Sequence, residues 1–89
     1  MGVSEDWHSA PTFRCPCCKC KTLHARGAFE MCPVCWWEDD GQDEEDADLV
    51  RGGPNGTLSL RQAQRNYQTL GASEDHYRTS VRAPRPDEL

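Results

Sequence analysis

Cys15-Pro16-Cys17-Cys18-Lys19-Cys20 and Cys32-Pro33-Val34-Cys35 decide how this chain can fold. Each contains a C-P-x-C unit, Cys15 to Cys18 and Cys32 to Cys35, and thirteen residues separate the two. Two Cys three positions apart can turn both sulfurs toward one point. Two such turns facing each other make a tetrahedral four-sulfur site. The spacing is close to the two-pair zinc pattern, and the repeated Pro adds to it. The chain is therefore expected to bind one zinc ion through Cys15, Cys18, Cys32 and Cys35.

Composition says why such a staple is wanted. The chain has 89 residues, of which 36% are hydrophobic and 28% charged. One domain of this size buries little apolar surface and often needs a metal or disulfides. The six Cys allow fifteen disulfide pairings, and no sequence argument selects one. No apolar run lies between Met1 and Thr12, so no signal peptide is expected. A reducing, cytoplasmic setting follows, and there the thiols favour metal. No stretch is apolar enough to span a membrane.

The net charge of −5 is uneven. Residues 1–48 carry 11 acidic and 4 basic side chains, net −7, and residues 49–89 carry 4 acidic and 6 basic, net +2. The four-thiolate site falls in the acidic half. Such a surface repels nucleic acid, so a DNA- or RNA-binding role is disfavoured.

The first Cys cluster offers two registers, Cys15 with Cys18 or Cys17 with Cys20. The Pro after the first Cys of each unit favours Cys15 and Cys18, because two like turns can then meet around one ion. Backbone N–H groups in such turns are expected to hydrogen-bond the thiolates. Cys17 and Cys20 are left as buried thiols beside the metal, or as a redox dithiol at C-x-x-C spacing. His24 is a possible substitute ligand, whereas His8 and His76 have no partners at ligand spacing.

Along the chain, residues 1–12 read as a disordered arm in which Trp7 is the one residue able to pack. Lys21 to Arg26 and Ala28 to Met31 flank Gly27 and suggest a hairpin turning there, with a knuckle at each end. Trp36 and Trp37 should face opposite ways, one covering the metal site. Residues 38–48 hold eight acids in eleven, match no EF-hand register, and read as a solvated loop, or as a surface for a basic protein. Gly52-Gly53-Pro54-Asn55-Gly56 is a turn cluster. Ser59 and Gln62 form a capping-box pattern, Leu60, Ala63, Tyr67 and Leu70 an apolar stripe, and Gly71 a left-handed stop. A helix over 60–70 packed on the metal unit is expected, with an extended tail over 73–89. The fold class is thus a small metal-stapled domain over 13–72. It has a zinc-ribbon-like β-hairpin with two Cys knuckles and one C-terminal α-helix.

C-P-C-C, K-T-L, C-P-V-C-W-W-E-D-D-G-Q-D, G-G-P-N-G, S-L-x-x-A-x-x-N-Y and V-R-x-P keep their order from about Phe13 to about Glu88. Together they resemble the CPCC family of small bacterial cysteine-rich proteins. The family's motif cysteines fall on Cys15, Cys17, Cys18, Cys32 and Cys35. Lys19 stands where a Gly usually follows, and Cys20 where another residue, often aromatic, is more frequent. The resemblance implies a zinc-ribbon-like or rubredoxin-like metal site and no established activity.

Two functional classes are compatible with these residues. One is a zinc-stabilised module that binds another protein. The other is a rubredoxin-like iron protein in electron transfer, since thiolates suit both metals. No Ser-His-Asp order, phosphate loop or apolar acid pair is present, so an enzyme is not expected.

Overall fold

A computed structural model describes residues 11–89. The disordered arm expected over 1–12, with Trp7 and His8, lies almost wholly outside them. Of that segment Pro11 and Thr12 are described, and the Thr12 amide donates to the Leu23 carbonyl at 3.2 Å.

The hairpin forms, but around the first knuckle and not around Gly27. Strand β1 (Phe13–Arg14) pairs antiparallel with β2 (Lys21–Leu23), Phe13 opposite Leu23 and Arg14 opposite Lys21, with a register irregularity between. Residues 15–20 are its loop. Residues 28–31 pair instead with 38–39, on the far side of the second knuckle. Met31 bridges Glu38, and Phe29 and Asp39 exchange backbone bonds with their neighbours, Phe29 N–H to Asp39 and Asp39 N–H to Glu30. Gly27 does turn the chain, with φ 68°, but between the two hairpin-like units.

The two knuckles repeat one hydrogen-bond pattern. The Cys15 amide donates to Cys20 O and the Lys19 amide to Cys15 O, each at 2.8 Å. The Cys32 amide donates to Trp37 O at 2.9 Å and the Trp36 amide to Cys32 O at 2.8 Å. Four residues after each leading Cys the backbone turns left-handed, with φ 68° at Lys19 and 72° at Trp36. A glycine fits such a position without a Cβ clash, which explains the Gly usual after C-P-C-C.

Helix α1 (Leu60–Leu70) has the expected bounds. Ser59 Oγ accepts from the Gln62 amide at 3.1 Å, and Gly71 ends the helix at φ 77°. The reciprocal half of the capping box is replaced, because the Gln62 side chain donates to Asn66 Oδ1 at 2.8 Å. Leu60 and Ala63 are fully buried in one cluster with Trp37, Leu23, Val34, Leu58 and the cysteines. Tyr67 packs against that cluster while half-buried, and Leu70 is also only half-buried. The Gln64 side chain ties the helix to the first knuckle through Pro16 O at 2.9 Å.

Residues 38–48 are a solvated loop only in part, since Glu44, Glu45 and Asp48 are exposed and others are not. Asp39 and Gln42 are fully buried. Arg26 reaches into the loop, with Nε on Asp39 Oδ2 at 2.8 Å, Nη1 on Asp43 Oδ2 at 3.0 Å and Nη2 on Gln42 O at 2.9 Å. The Gln42 amide nitrogen donates to Asp46 O and Leu49 O at 2.9 and 2.8 Å. Asp43 caps a single 3₁₀ turn at Glu44–Asp46.

The chain after Gly71 also differs from the extended tail expected over 73–89. It returns across the second knuckle, where Ser73 N–H donates to Cys35 O at 2.7 Å and Arg82 N–H to Pro33 O at 3.2 Å. A 3₁₀ turn at Pro86–Glu88 lies against β2. Glu88, 5% exposed, takes both ends of the Arg82 guanidinium at 2.8 Å.

Candidate metal centre

The repeated knuckle turns Cys15 and Cys18 from one unit, and Cys32 and Cys35 from the other, toward a common point. Their four Sγ atoms all lie within 4.8 Å of one another. Cys15 and Cys35 sulfurs are 3.6 Å apart, and those of Cys18 and Cys32 are 3.7 Å apart. A regular tetrahedron with metal–sulfur bonds of about 2.3 Å has edges of about 3.8 Å. The donor set therefore has the size of a tetrahedral thiolate site, and these four Cys could hold a metal ion. All six cysteines are free thiols.

Burial seals three of the four, since Cys15, Cys32 and Cys35 have no exposure and Cys18 is partly exposed. Charge explains why a cation suits them. Hydrogen bonds from Cys15, then Cys18 and Cys35, pull the Cys32 thiol well below its ordinary range. The partners on the other end of these bonds are pushed up, Cys35 by Cys15 first and Cys18 by Cys15 and then Cys32. Four thiolates so close together can coexist here only around a positive ion.

The surrounding shell contains residues that the sequence reading did not single out as site residues. Thr22 Oγ1 lies 3.0 Å from Cys32 Sγ and is buried. Its neighbour Leu23 is buried too, so both faces of β2 are covered, one by the core and one by the sulfurs. Tyr67 sits at the edge of the cluster. Burial, with the nearby Cys20, Cys18 and Cys35, pushes its hydroxyl up to about 12. In the sequence Tyr67 stands on the helical stripe and Thr22 within the K-T-L motif, but neither signal points to the sulfurs.

His24 is not brought to the sulfurs. Its Nδ1 pairs with Glu30 Oε2 at 2.7 Å, and its backbone N–H donates to the same carboxylate at 2.7 Å. His76 is exposed, and its ring lies tilted against Tyr77 with centroids 4.1 Å apart. The two Trp separate as expected. Trp37 is fully buried in the core with the cysteines, and Trp36, half-buried, tilts against Tyr77 at 6.2 Å. Cys17 and Cys20 are buried in the same cluster as the four and stand outside the tetrahedral set.

No helix among the described residues is long and apolar enough to cross a membrane. No curated protein and no solved structure matches the chain. The family comparison does give a match, over residues 13–88, which takes in both knuckles, the helix and the returning C-terminal segment. This chain belongs to the Cysteine-rich CPCC family.

Proposed function

We propose that the chain is a small zinc protein whose four-cysteine site is structural and whose surface docks another protein. The observation that carries the metal reading is the sulfur tetrahedron, with edges of 3.6 and 3.7 Å. Four Cys ligands leave no open position for water or substrate, and zinc has no redox chemistry. The site then folds the chain and does not catalyse. Knuckle, hairpin and helix together read as a zinc-ribbon-like unit. Six free thiols fit a reducing compartment such as the cytoplasm.

Support for docking comes from what the fold leaves outside. The Phe29 ring is 55% exposed although its backbone sits left-handed at φ 60°. Leu49 and Val50 are each 57% exposed, beside the acidic turn that carries Glu44 and Glu45. Exposed aliphatic side chains beside carboxylates suit a basic protein partner.

Elemental analysis and an absorption spectrum of the purified chain test the metal. One zinc per chain and no colour are expected. A coloured protein carrying iron would favour electron transfer instead. Chelation should collapse the dispersed amide NMR spectrum, because binding energy at such a site is folding energy. A dispersed spectrum without metal would remove the structural role.

A further inference from the structure

Phe29 combines two features that packing does not explain. Its backbone is left-handed at φ 60°, a conformation that bulky residues rarely adopt, and its ring is 55% exposed. Strain of this kind persists where the surroundings enforce it, and it clusters at ligand clamps. Here the Phe29 amide donates to Asp39 O at 2.9 Å, and the Asp39 amide to Glu30 O at 3.0 Å. Phe29 borders a cleft of about 240 Å³, lined also by Asp40, Arg51, Gly52, Gly53 and Pro54. That is smaller than the roughly 300–1,000 Å³ of a small-molecule pocket and suits a single side chain. The walls are tied to one another. Asn55, next in the glycine turn, accepts the Glu38 amide at 3.3 Å and donates to Glu38 O at 2.8 Å. The turn and the 38–40 segment are thus fixed before anything binds.

Charge decides the occupant. Asp40 Oδ1 accepts from the Gln42 amide at 3.1 Å, whereas Oδ2 is shielded from water and has no hydrogen-bond partner among the described residues. Arg26 is taken by Asp39 and Asp43, and Arg51, in the cleft wall, by Asp46 at 3.0 Å. Asp40 thus places an uncompensated negative charge at the cleft, within a run already rich in acids. A planar guanidinium stacks on an aromatic face and pairs with a carboxylate, where an ammonium acts only as a point charge. We propose that this cleft takes an arginine side chain of a basic protein partner, stacked on Phe29 with Asp40 as its counter-charge. This rests on the docking reading above and gives it a place. The strained backbone holds the ring out beforehand, so less ordering is needed on binding.

The probe is the capped pentapeptide Gly-Gly-Arg-Gly-Gly, titrated into the full zinc-loaded chain and followed by amide NMR. Shifts should concentrate on Phe29, Asp40, Gly52 and Gly53. Phe29→Gly removes ring and strain together. Its melting temperature should not fall, yet it should bind about two- to fivefold more weakly, the range for an exposed cation–π contact. A fall in melting temperature would mark the ring as packing and overturn the account of its strain. Asp40→Asn should weaken binding by a similar factor, about two- to fivefold. Unchanged affinity in either variant would overturn the proposal. Arg51→Ala takes a like charge from the cleft wall and should tighten binding, and a loss of affinity there would contradict a cation site. Equal binding of the lysine counterpart would overturn the assignment to arginine. Shifts with hexa-arginine confined to residues 43–48 would overturn the cleft while leaving the docking of a basic protein standing. No shift with any of these peptides would overturn both.

Discussion

Replacing Arg26 with alanine should cost this domain about 3 kcal/mol. The Asp39 carboxylate is fully buried, and Arg26 Nε at 2.8 Å is its counter-charge. Removing one partner of a buried ion pair costs about 3–5 kcal/mol, because the other charge is left uncompensated. Asp39 keeps two other donors, the Gly27 amide at 2.8 Å and the Gly41 amide at 3.1 Å, which places the cost at the lower end. The second pair, to Asp43, adds little, since that side chain is 46% exposed and such pairs contribute about 0–1 kcal/mol. For a domain of this size each kcal/mol moves the melting temperature by about 4–8 °C. The zinc-loaded variant should therefore melt about 12–24 °C below the parent. In an Asp39→Asn background the same replacement should cost under about 1 kcal/mol, because no buried charge remains to be stranded. Arg26→Lys should fall between, keeping charge without the fork. An Arg26→Ala melt within about 2 °C of the parent would show that the loop is held by something else.

Other perturbations follow from single contacts. Thr22→Val keeps the shape and removes the hydroxyl at 3.0 Å from Cys32 Sγ. Partners of metal ligands contribute about 10–100-fold in affinity, so a chelator competition should show a loss of at least about tenfold, and an unchanged constant would contradict the contact. Lys19→Gly relieves a left-handed residue at φ 68°. About 1–2 kcal/mol of strain is set against about 0.5–1 kcal/mol of glycine entropy and a weak exposed pair to Glu44. A small net gain in melting temperature is expected, and a fall of several degrees would refute it. Glu88 is held down to about 2, from 4.5, chiefly by Arg82. A depressed carboxyl contributes stability above its unfolded value and loses it as pH falls through the folded value. The deficit of Glu88→Gln should therefore stay constant from about pH 7 to 5 and shrink only below 4.5. A deficit already closing above pH 5 would contradict this.

The sequence made the local features legible. The bounds of α1 follow from Ser59 and Gly71, and the two C-P-x-C units, read as like turns, do meet with four sulfurs together. Non-local features were not legible. Gly27 looked like a hairpin tip because it lies midway between the knuckles, whereas each knuckle is itself the loop of a pairing. The acidic run looked solvated because its counter-charge, Arg26, stands 13 and 17 residues from Asp39 and Asp43. The C-terminal segment reads as polar and Pro-rich, and its anchors to Cys35 and Pro33 are backbone bonds that leave no pattern in side chains. Tyr67 on the stripe is only half-buried, because a helical stripe shows which face packs and not how deeply each side chain sinks.

Native mass spectrometry of the freshly purified chain and of its single Cys→Ser variants tests the central claim most directly. One zinc ion should remain in the parent, in Cys17→Ser and in Cys20→Ser. It should be lost in the variants of Cys15, Cys18, Cys32 and Cys35, the four whose sulfurs lie within 4.8 Å of one another. Zinc retained by Cys18→Ser and lost from Cys20→Ser would contradict the account.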